Sequence, residues 1–422
     1  MKIFKESNKD INSSFVILKN LKFYGTIAGI GSGMTALFFL GFWLMSLLDR
    51  SKENSVVTTP PSIIQPSPTI QASVPGQMRS PVSSSSASTT VPTNTLIPVS
   101  PIIPTTTRDF TYKVASRTNF LSSPKLQKIV TSIVDYSQSK GLPTNALSIT
   151  LIDTKTGEEA EYQGNTGRYP ASVVKLFWLT AIYQKISTGA AEKSSLKNAI
   201  EQTIFKSDNQ GASRLLDAIT NTNSTAQTLP DNELKIWKQQ RQNLNNFFTQ
   251  AGYSADLNVS QKTFPIPQEN IMEPKGFDKQ LRGEDPLKPT RNKITTDDAA
   301  RLMYEIVNLQ AISPEASQEM INLLTRKIDP NIWKKQPPNP IDFNPVESFF
   351  GEGLPASNAK DIVSKAGWTS SSRQEVALIE SKDKQTRYIL AVFGDNIAYG
   401  KSKQVFPDIS RLVYRQMHKT SR

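Results

Sequence analysis

The chain has 422 residues, a formal charge of +12 at pH 7, one histidine and no cysteine. The missing cysteines exclude disulfides, thiolate metal sites and a cysteine nucleophile. The lone histidine, His418, lies close to the C-terminus and does not suit a histidine-based triad, so hydrolytic chemistry falls to Ser, Thr, Lys, Asp or Glu. The basic balance comes without a Lys/Arg run or aromatic–basic interleaving. It reads as solubility and attraction to anionic surfaces such as envelope polymers or lipid head groups, not as a nucleic-acid partner.

The first quarter of the chain reads as anchor and tether. Residues 1–23 carry Lys2, Lys5, Lys9, Lys19 and Lys22, and Tyr24 to Leu48 is a run of 25 residues without a charge. At about 1.5 Å rise per residue that run can cross a bilayer with some tilt. The positive excess before it predicts a single-pass signal anchor with a cytoplasmic N-terminus and an exported, periplasmic C-terminal domain. A cleaved signal peptide fits less well, because the apolar core is long and no small-x-small site directly follows Leu48. Gly25, Gly29 and Gly33 form overlapping G-x-x-x-G patterns, a weak hint of a dimer through this helix. Residues 49–108 are dominated by Ser, Pro, Thr and Val and read as a disordered spacer.

Residues 109–422 carry the foldable domain. Leu126, Ile129, Val130, Ile133 and Val134 stand at helical spacing, predicting a helix from Pro124 to Lys140. Ala146 to Asp153 reads as a strand, Thr156–Gly157 as a turn, and Ala160 to Gln163 as the returning strand. Lys175–Ile186 and Asn209–Ile219 are apolar helical runs, and Thr295–Leu309 opens with capping residues and Asp297–Asp298. Glu375–Glu380 and Tyr388–Phe393 read as a second strand pair, and Phe406–Met417 as a closing helix. The predicted class is α+β, an antiparallel sheet flanked by helices with a helical lobe. Residues 221–295 resist such reading and are expected to be a functional lid or a local insertion.

Three short motifs carry the chemistry. Ser172-Val-Val-Lys175 opens an apolar helix, and its spacing puts a hydroxyl and an amine on one face, one turn apart. In a partly buried site the amine sheds its charge readily and can take the serine proton. The pattern is weak alone: Ser-x-x-Lys occurs six times, and Ser172 also suits an ordinary N-cap. Ser207-Asp208-Asn209 stands before a helix and also reads as a cap. Lys365-Ala366-Gly367 also reads as a loop with a glycine turn.

In this order, between two strand pairs, the motifs resemble those of the penicillin-recognising serine enzymes, and among them the class A β-lactamases. The resemblance runs from about Leu147 to the C-terminus. It implies a helical lobe and a sheet lobe meeting at a cleft, with no cofactor or metal. Ser172 would be the acylated nucleophile, Lys175 its activator, and Ser207 a proton relay to the leaving nitrogen. Asn209 would brace Lys175 and bind the substrate amide, and Lys365 would attract its carboxylate. The N–H groups of Ser172 and Trp368 would form the oxyanion hole beside Gly367. Glu273, in a Glu-Pro pair, would be the deacylation base, with Glu284 the second choice. The chain departs from the pattern at Ala366, where a hydroxyl residue is usual and Thr369 to Ser372 offer substitutes. It departs again at Trp368, where a small residue is usual, and at Phe277, four residues after Glu273. Arg373 reads as an aid to Lys365 or, in the plainer reading, as a strand-end surface charge. The implied activity is hydrolysis of a β-lactam or related cyclic or D-alanyl amide. A D-Ala-D-Ala peptidase acting on cell-wall peptides and a non-catalytic envelope-binding module are the alternatives.

Overall fold

A computed structural model describes residues 110–112, 114, 119–224, 226–335 and 343–420, all within one compact unit, Pro98–Arg422. The predicted anchor and spacer lie outside the described residues. Among those described, no helix is long and apolar enough to cross a membrane.

The elements run in the order β1 (Leu121–Ser122), α1 (Pro124–Ser139), β2 (Leu147–Asp153), β3 (Glu158–Tyr162), then a 3₁₀ turn Ala171–Val173 leading into α2 (Val174–Ser187). Helices α3 (Lys193–Phe205), α4 (Asn209–Thr220), α5 (Asp231–Thr249), α6 (Gly276–Arg282), α7 (Thr296–Val307) and α8 (Pro314–Leu324) build the helical part. The chain returns to the sheet through β4 (Thr325–Arg326), α9 (Pro330–Trp333), α10 (Phe350–Gly353), β5 (Ile362–Thr369), β6 (Ser372–Glu380) and β7 (Arg387–Gly394). It closes with α11 (Ile397–Lys401) and α12 (Val405–Thr420).

The seven strands lie in the order β1-β3-β2-β7-β6-β5-β4. The sheet is mixed, which corrects the purely antiparallel expectation: β1 runs parallel to β3, pairing Leu121 with Glu158 and Ser122 with Glu159. The two residues of β1 are fastened by Leu121 N–H to Gly157 O and Ser123 N–H to Glu159 O, and Ser123 then caps α1. So short a strand closes the sheet edge without offering a long template for pairing.

Alternation along the strands separates two cores. On β7, Ile389, Ala391 and Phe393 face the helical lobe with α2, α4, α5 and α7. Leu390 and Val392 face the other side with α1 and α12. Helix α2 runs through the first core, buried along nearly its whole length, which accounts for its uninterrupted apolar run. Residues 221–295, expected to be a lid or insertion, hold a 19-residue helix, α5. Its inner face mixes Leu244, Phe247 and Phe248 with buried Arg241 and Asn245.

Candidate active site

The segment before Ser172 is pinned on both sides. Arg168 exchanges both backbone hydrogen bonds with Ile294, and Gln374 Nε2 of β6 donates to Tyr169 O at 3.0 Å. The chain then passes through Ala171 at φ +45°, a left-handed conformation unusual for a residue with a Cβ. Ser172 sits half-buried in the 3₁₀ turn, and α2 begins after it at Val174 with no side-chain cap. Ser172 is therefore not the helix cap that its position also suggested.

Lys175, one turn on, is fully buried. Its Nζ donates to Ser207 O at 2.5 Å and to Asn209 Oδ1 at 2.8 Å. Burial pulls its pKa down to about 7, and the charge of Asp208 opposes the shift only in part. A neutral amine has two N–H groups and one lone pair. Two carbonyl oxygens take the N–H groups, so the lone pair is left to accept a proton, and Ser172 lies three residues before it.

The second motif is divided by role. Asp208 is the cap of α4, accepting Gly211 N–H at 2.6 Å. Ser207, just outside, is held at φ +54°, which turns its carbonyl to Lys175 and its hydroxyl to Lys365. Asn209, the first helical residue, accepts from Lys175 and donates through Nδ2 to Pro265 O at 2.8 Å. With a donor on one side and an acceptor on the other, the amide orientation is fixed.

Lys365-Ala366-Gly367 is not a glycine turn: it lies in the middle of β5, paired with Val376, Glu375 and Gln374 of β6. Lys365 is buried, and its Nζ donates to Ser207 Oγ at 2.9 Å and to Ala366 O at 2.8 Å. Burial first, and then the positive charges of Lys175 and Arg326, hold its pKa well below the usual lysine range. Gly367 is dictated by contact. A Cβ there would stand 2.8 Å from both Ser172 N and Pro170 O, so only glycine lets β5 approach the Ser172 turn. Ala366 points away, fully buried in the second core. Trp368 is 48% exposed, and its indole N–H donates to Gly400 O at 2.7 Å. Thr369 Oγ1 hydrogen-bonds with Ser372 Oγ and Ser371 Oγ.

Ser172, Lys175, Ser207, Asn209, Lys365 and Gly367 thus converge. Glu273 and Glu284 do not join them: both are exposed, and among the described residues neither is hydrogen-bonded to any of the six. Glu273 instead adds to the field at Arg282. Phe277 is buried edge-on against Trp237. The segment that reaches Asn209 is Phe264–Pro265, which brings a carbonyl and no carboxylate.

Several residues that the motifs did not reveal support the site. Arg326 on β4 is buried and donates to Ile204 O at 2.8 Å, near the end of α3 just before Ser207. Arg373 is buried too, donating to Ser348 O at 3.1 Å, which corrects its reading as a surface charge. Glu375 is buried opposite Ala366, its pKa pushed up to about 8 by burial, and accepts Phe350 N–H at 2.7 Å. Their sequence signal is poor, because charged residues in a strand normally read as solvent-facing. No group of three or more metal-ligating side chains is assembled among the described residues.

Residues 125–417 match the model of the β-lactamase enzyme family. The chain belongs to that family. As a family member it has the β-lactamase-like fold and the serine-hydrolase relationship implied by its motifs. Solved structures similar to it include the β-lactamase of Sphaerobacter thermophilus DSM 20745, at 18% identity and TM-score 0.47, spanning 69% of this chain and 98% of that one. PBP-A is another, at 15% identity and TM-score 0.48, spanning 72% and 100%. A variant of PBP-A, solved as its acyl-enzyme complex with penicillin G, matches at 15% identity and TM-score 0.47, spanning 70% and 97%. No curated protein sequence matches the chain.

Proposed function

We propose that this family member is a serine acyl-transfer enzyme of the envelope, acylated at Ser172 by D-alanyl amides of cell-wall peptides and by β-lactams, and slow to release the β-lactam acyl group. In acylation, Ser172 Oγ bonds to the amide carbonyl carbon and its proton passes to Lys175 Nζ. The C–N bond then breaks, and the proton reaches the leaving nitrogen through Ser207. The N–H groups of Ser172 and Trp368 hold the oxyanion. Lys365 takes the substrate carboxylate, whose charge offsets the desolvation that otherwise disfavours the ammonium.

The observation that carries this choice over rapid β-lactam hydrolysis is the company kept by Asn209. Its amide meets the Pro265 carbonyl, whereas Glu273 of the Glu-Pro pair lies exposed and, among the described residues, makes no hydrogen bond to the six site residues. Glu273 is thus not placed to orient a water on the acyl-enzyme, and the acid that the turn after Pro265 brings to the start of α4, Glu269, is engaged by Gln210 Nε2 at 2.9 Å. A peptide's leaving amine departs and frees Lys175 to serve that water. A β-lactam's leaving nitrogen stays tethered to the acyl group and obstructs it. A non-catalytic module fits less well, since a carboxylate binder needs only Lys365, while the desolvated Lys175 one turn after Ser172 costs stability without serving it.

A chromogenic cephalosporin mixed with the full chain tests the reading. The expected record is a burst of about one equivalent followed by little further turnover. Sustained rapid turnover would restore the β-lactamase reading, and no burst would point to a binding module. The proposal includes the Tyr24–Leu48 anchor and the 49–108 spacer, which place residues 109–422 outside the cytoplasmic membrane. Removal of residues 1–48 is expected to release the protein from membrane fractions. Full-length protein in the soluble fraction would contradict the anchor.

A further inference from the structure

Arg326 is a buried cation with no acid beside it. It is 6% exposed, and burial pulls its pKa down only to about 10, so it stays charged at pH 7. Among the described residues no carboxylate forms an ion pair with it, whereas the buried Arg241 meets Asp217 at 2.6 Å. Carbonyl oxygens hold its fork instead. Nη2 donates to Ile204 O at 2.8 Å, and Nη1 donates to Leu323 O at 2.8 Å and to Thr325 O at 3.1 Å. Ile204 and Leu323 stand in the last turns of α3 and α8, where carbonyls lack partners within the helix and each helix presents its negative pole. Nε is buried as well and has no partner among the described residues.

The place of this charge gives it a use. β4 is a two-residue edge strand, and from it the Arg326 side chain turns to the helical part, reaching the carbonyl three residues before Ser207. Ser207 Oγ in turn accepts from Lys365. The charge of Arg326 is felt at Lys365, where together with burial and Lys175 it disfavours the ammonium. Phe205 lies 6.0 Å from Arg326 Cζ, and Phe343 lies 6.0 Å from Lys365 Nζ. Each cation therefore has an aromatic ring on one side in place of water, which lengthens the reach of its charge. Glu375 is an acid whose field reaches both, but burial pushes its pKa up to about 8, so it is largely protonated at pH 7. Among the described residues no ionised acid offsets the charge at this end of the cleft. Ala366 brings no hydroxyl to it, and the hydroxyl groups of Thr369, Ser371 and Ser372 bond with one another.

We propose that Arg326 determines specificity for the substrate's carboxylate: acting through Lys365 and without touching the substrate, its charge makes an anionic group at that end of the cleft a condition of fast acylation of Ser172. This rests on the acylation reading above. A free carboxylate at Lys365 meets the field of two cations. A neutral group there leaves the two cations facing each other uncompensated. If Arg326 served only to tie β4 to α3 and α8, its loss would slow all acyl donors alike.

The test compares second-order acylation of the full chain by benzylpenicillin and by its methyl ester, which has the same reactive amide and no carboxylate charge, using intact-mass detection. Wild-type protein is expected to prefer the acid. The acid-to-ester ratio is expected to drop about tenfold in Arg326→Met. Arg326→Lys is expected to keep most of the ratio while both of its rates fall, because the charge stays and the fork is lost. An unchanged ratio in Arg326→Met, with both rates reduced alike, would overturn the proposal, as would a Lys variant whose ratio is no better than that of Met. Wild-type protein that takes acid and ester equally would overturn it without any variant. If wild-type protein is acylated by neither compound, the acylation reading itself fails and this inference with it.

Discussion

A buried amine whose two N–H groups are committed to carbonyl oxygens has one thing left to offer, its lone pair. That is the situation of Lys175, and its pKa of about 7 sets a window for the chemistry. Acylation of Ser172 is expected to rise tenfold per pH unit below about pH 7 and to level off above it. A pH-independent rate between pH 5 and 8 would exclude Lys175 as the base. The same shift has a stability sign. The folded state disfavours the ammonium, so between pH 7 and the unfolded pKa near 10.5 the unfolded chain binds more protons, and rising pH stabilises the fold through this group. Lys175→Met removes that dependence. Urea titrations at pH 7 and pH 10 should show wild type gaining on the variant as pH rises, and a constant difference would contradict the buried-amine account. Gly367 makes a steric prediction of equal directness. Gly367→Ala forces a Cβ to 2.8 Å from Ser172 N and should slow acylation by roughly 10²-fold, the scale of losing one oxyanion donor. Glu273→Gln, by contrast, is expected to change neither acylation nor release, as single-turnover kinetics of both steps would register.

At the level of elements, the helices with a clean apolar stripe or a continuous apolar run were legible: α1, α2, α4, α7 and α12 all fall within a few residues of their expected bounds. What hid the rest was charge and amide inside the protein. Helix α5 buries Arg241 and Asn245 among its aromatic residues, which breaks the apolar period that announces a helix. Strand β5 buries Ser364 and Lys365 and carries Gly367, so it resembles a turn although it runs through the sheet. Arg241 is tolerated because Asp217 meets it at 2.6 Å and Asp278 at 3.5 Å, while Lys262 meets Asp217 at 2.6 Å. This cluster joins α4, α5 and α6 to the segment leading to Pro265. Asp217→Asn leaves two buried cations undercompensated and should cost about 3–5 kcal/mol in chemical denaturation. A loss below 1 kcal/mol would show that the cluster is dispensable.

At the level of the whole molecule, the order of motifs carried more information than any motif alone. Ser172 and Lys175 lie at the start of α2, Ser207 and Asn209 at the entry to α4, and Lys365 and Gly367 on a strand more than 150 residues later. The fold joins them at the boundary between its two lobes. The loop acid was the element that motif reading placed least well. A Glu-Pro pair is common in any polar loop, and only the packing of residues 258–270 determines which segment meets Asn209. The central claim is that Ser172 is acylated and that a β-lactam acyl group is then released slowly. It is tested most directly by an intact-mass time course of the full chain with benzylpenicillin, with peptide mapping of the adduct. The account predicts one adduct per chain, located on Ser172, absent in Ser172→Ala and persisting after excess reagent is removed. An adduct at another residue, an adduct that survives in Ser172→Ala, or consumption of the β-lactam without any accumulating adduct would contradict it.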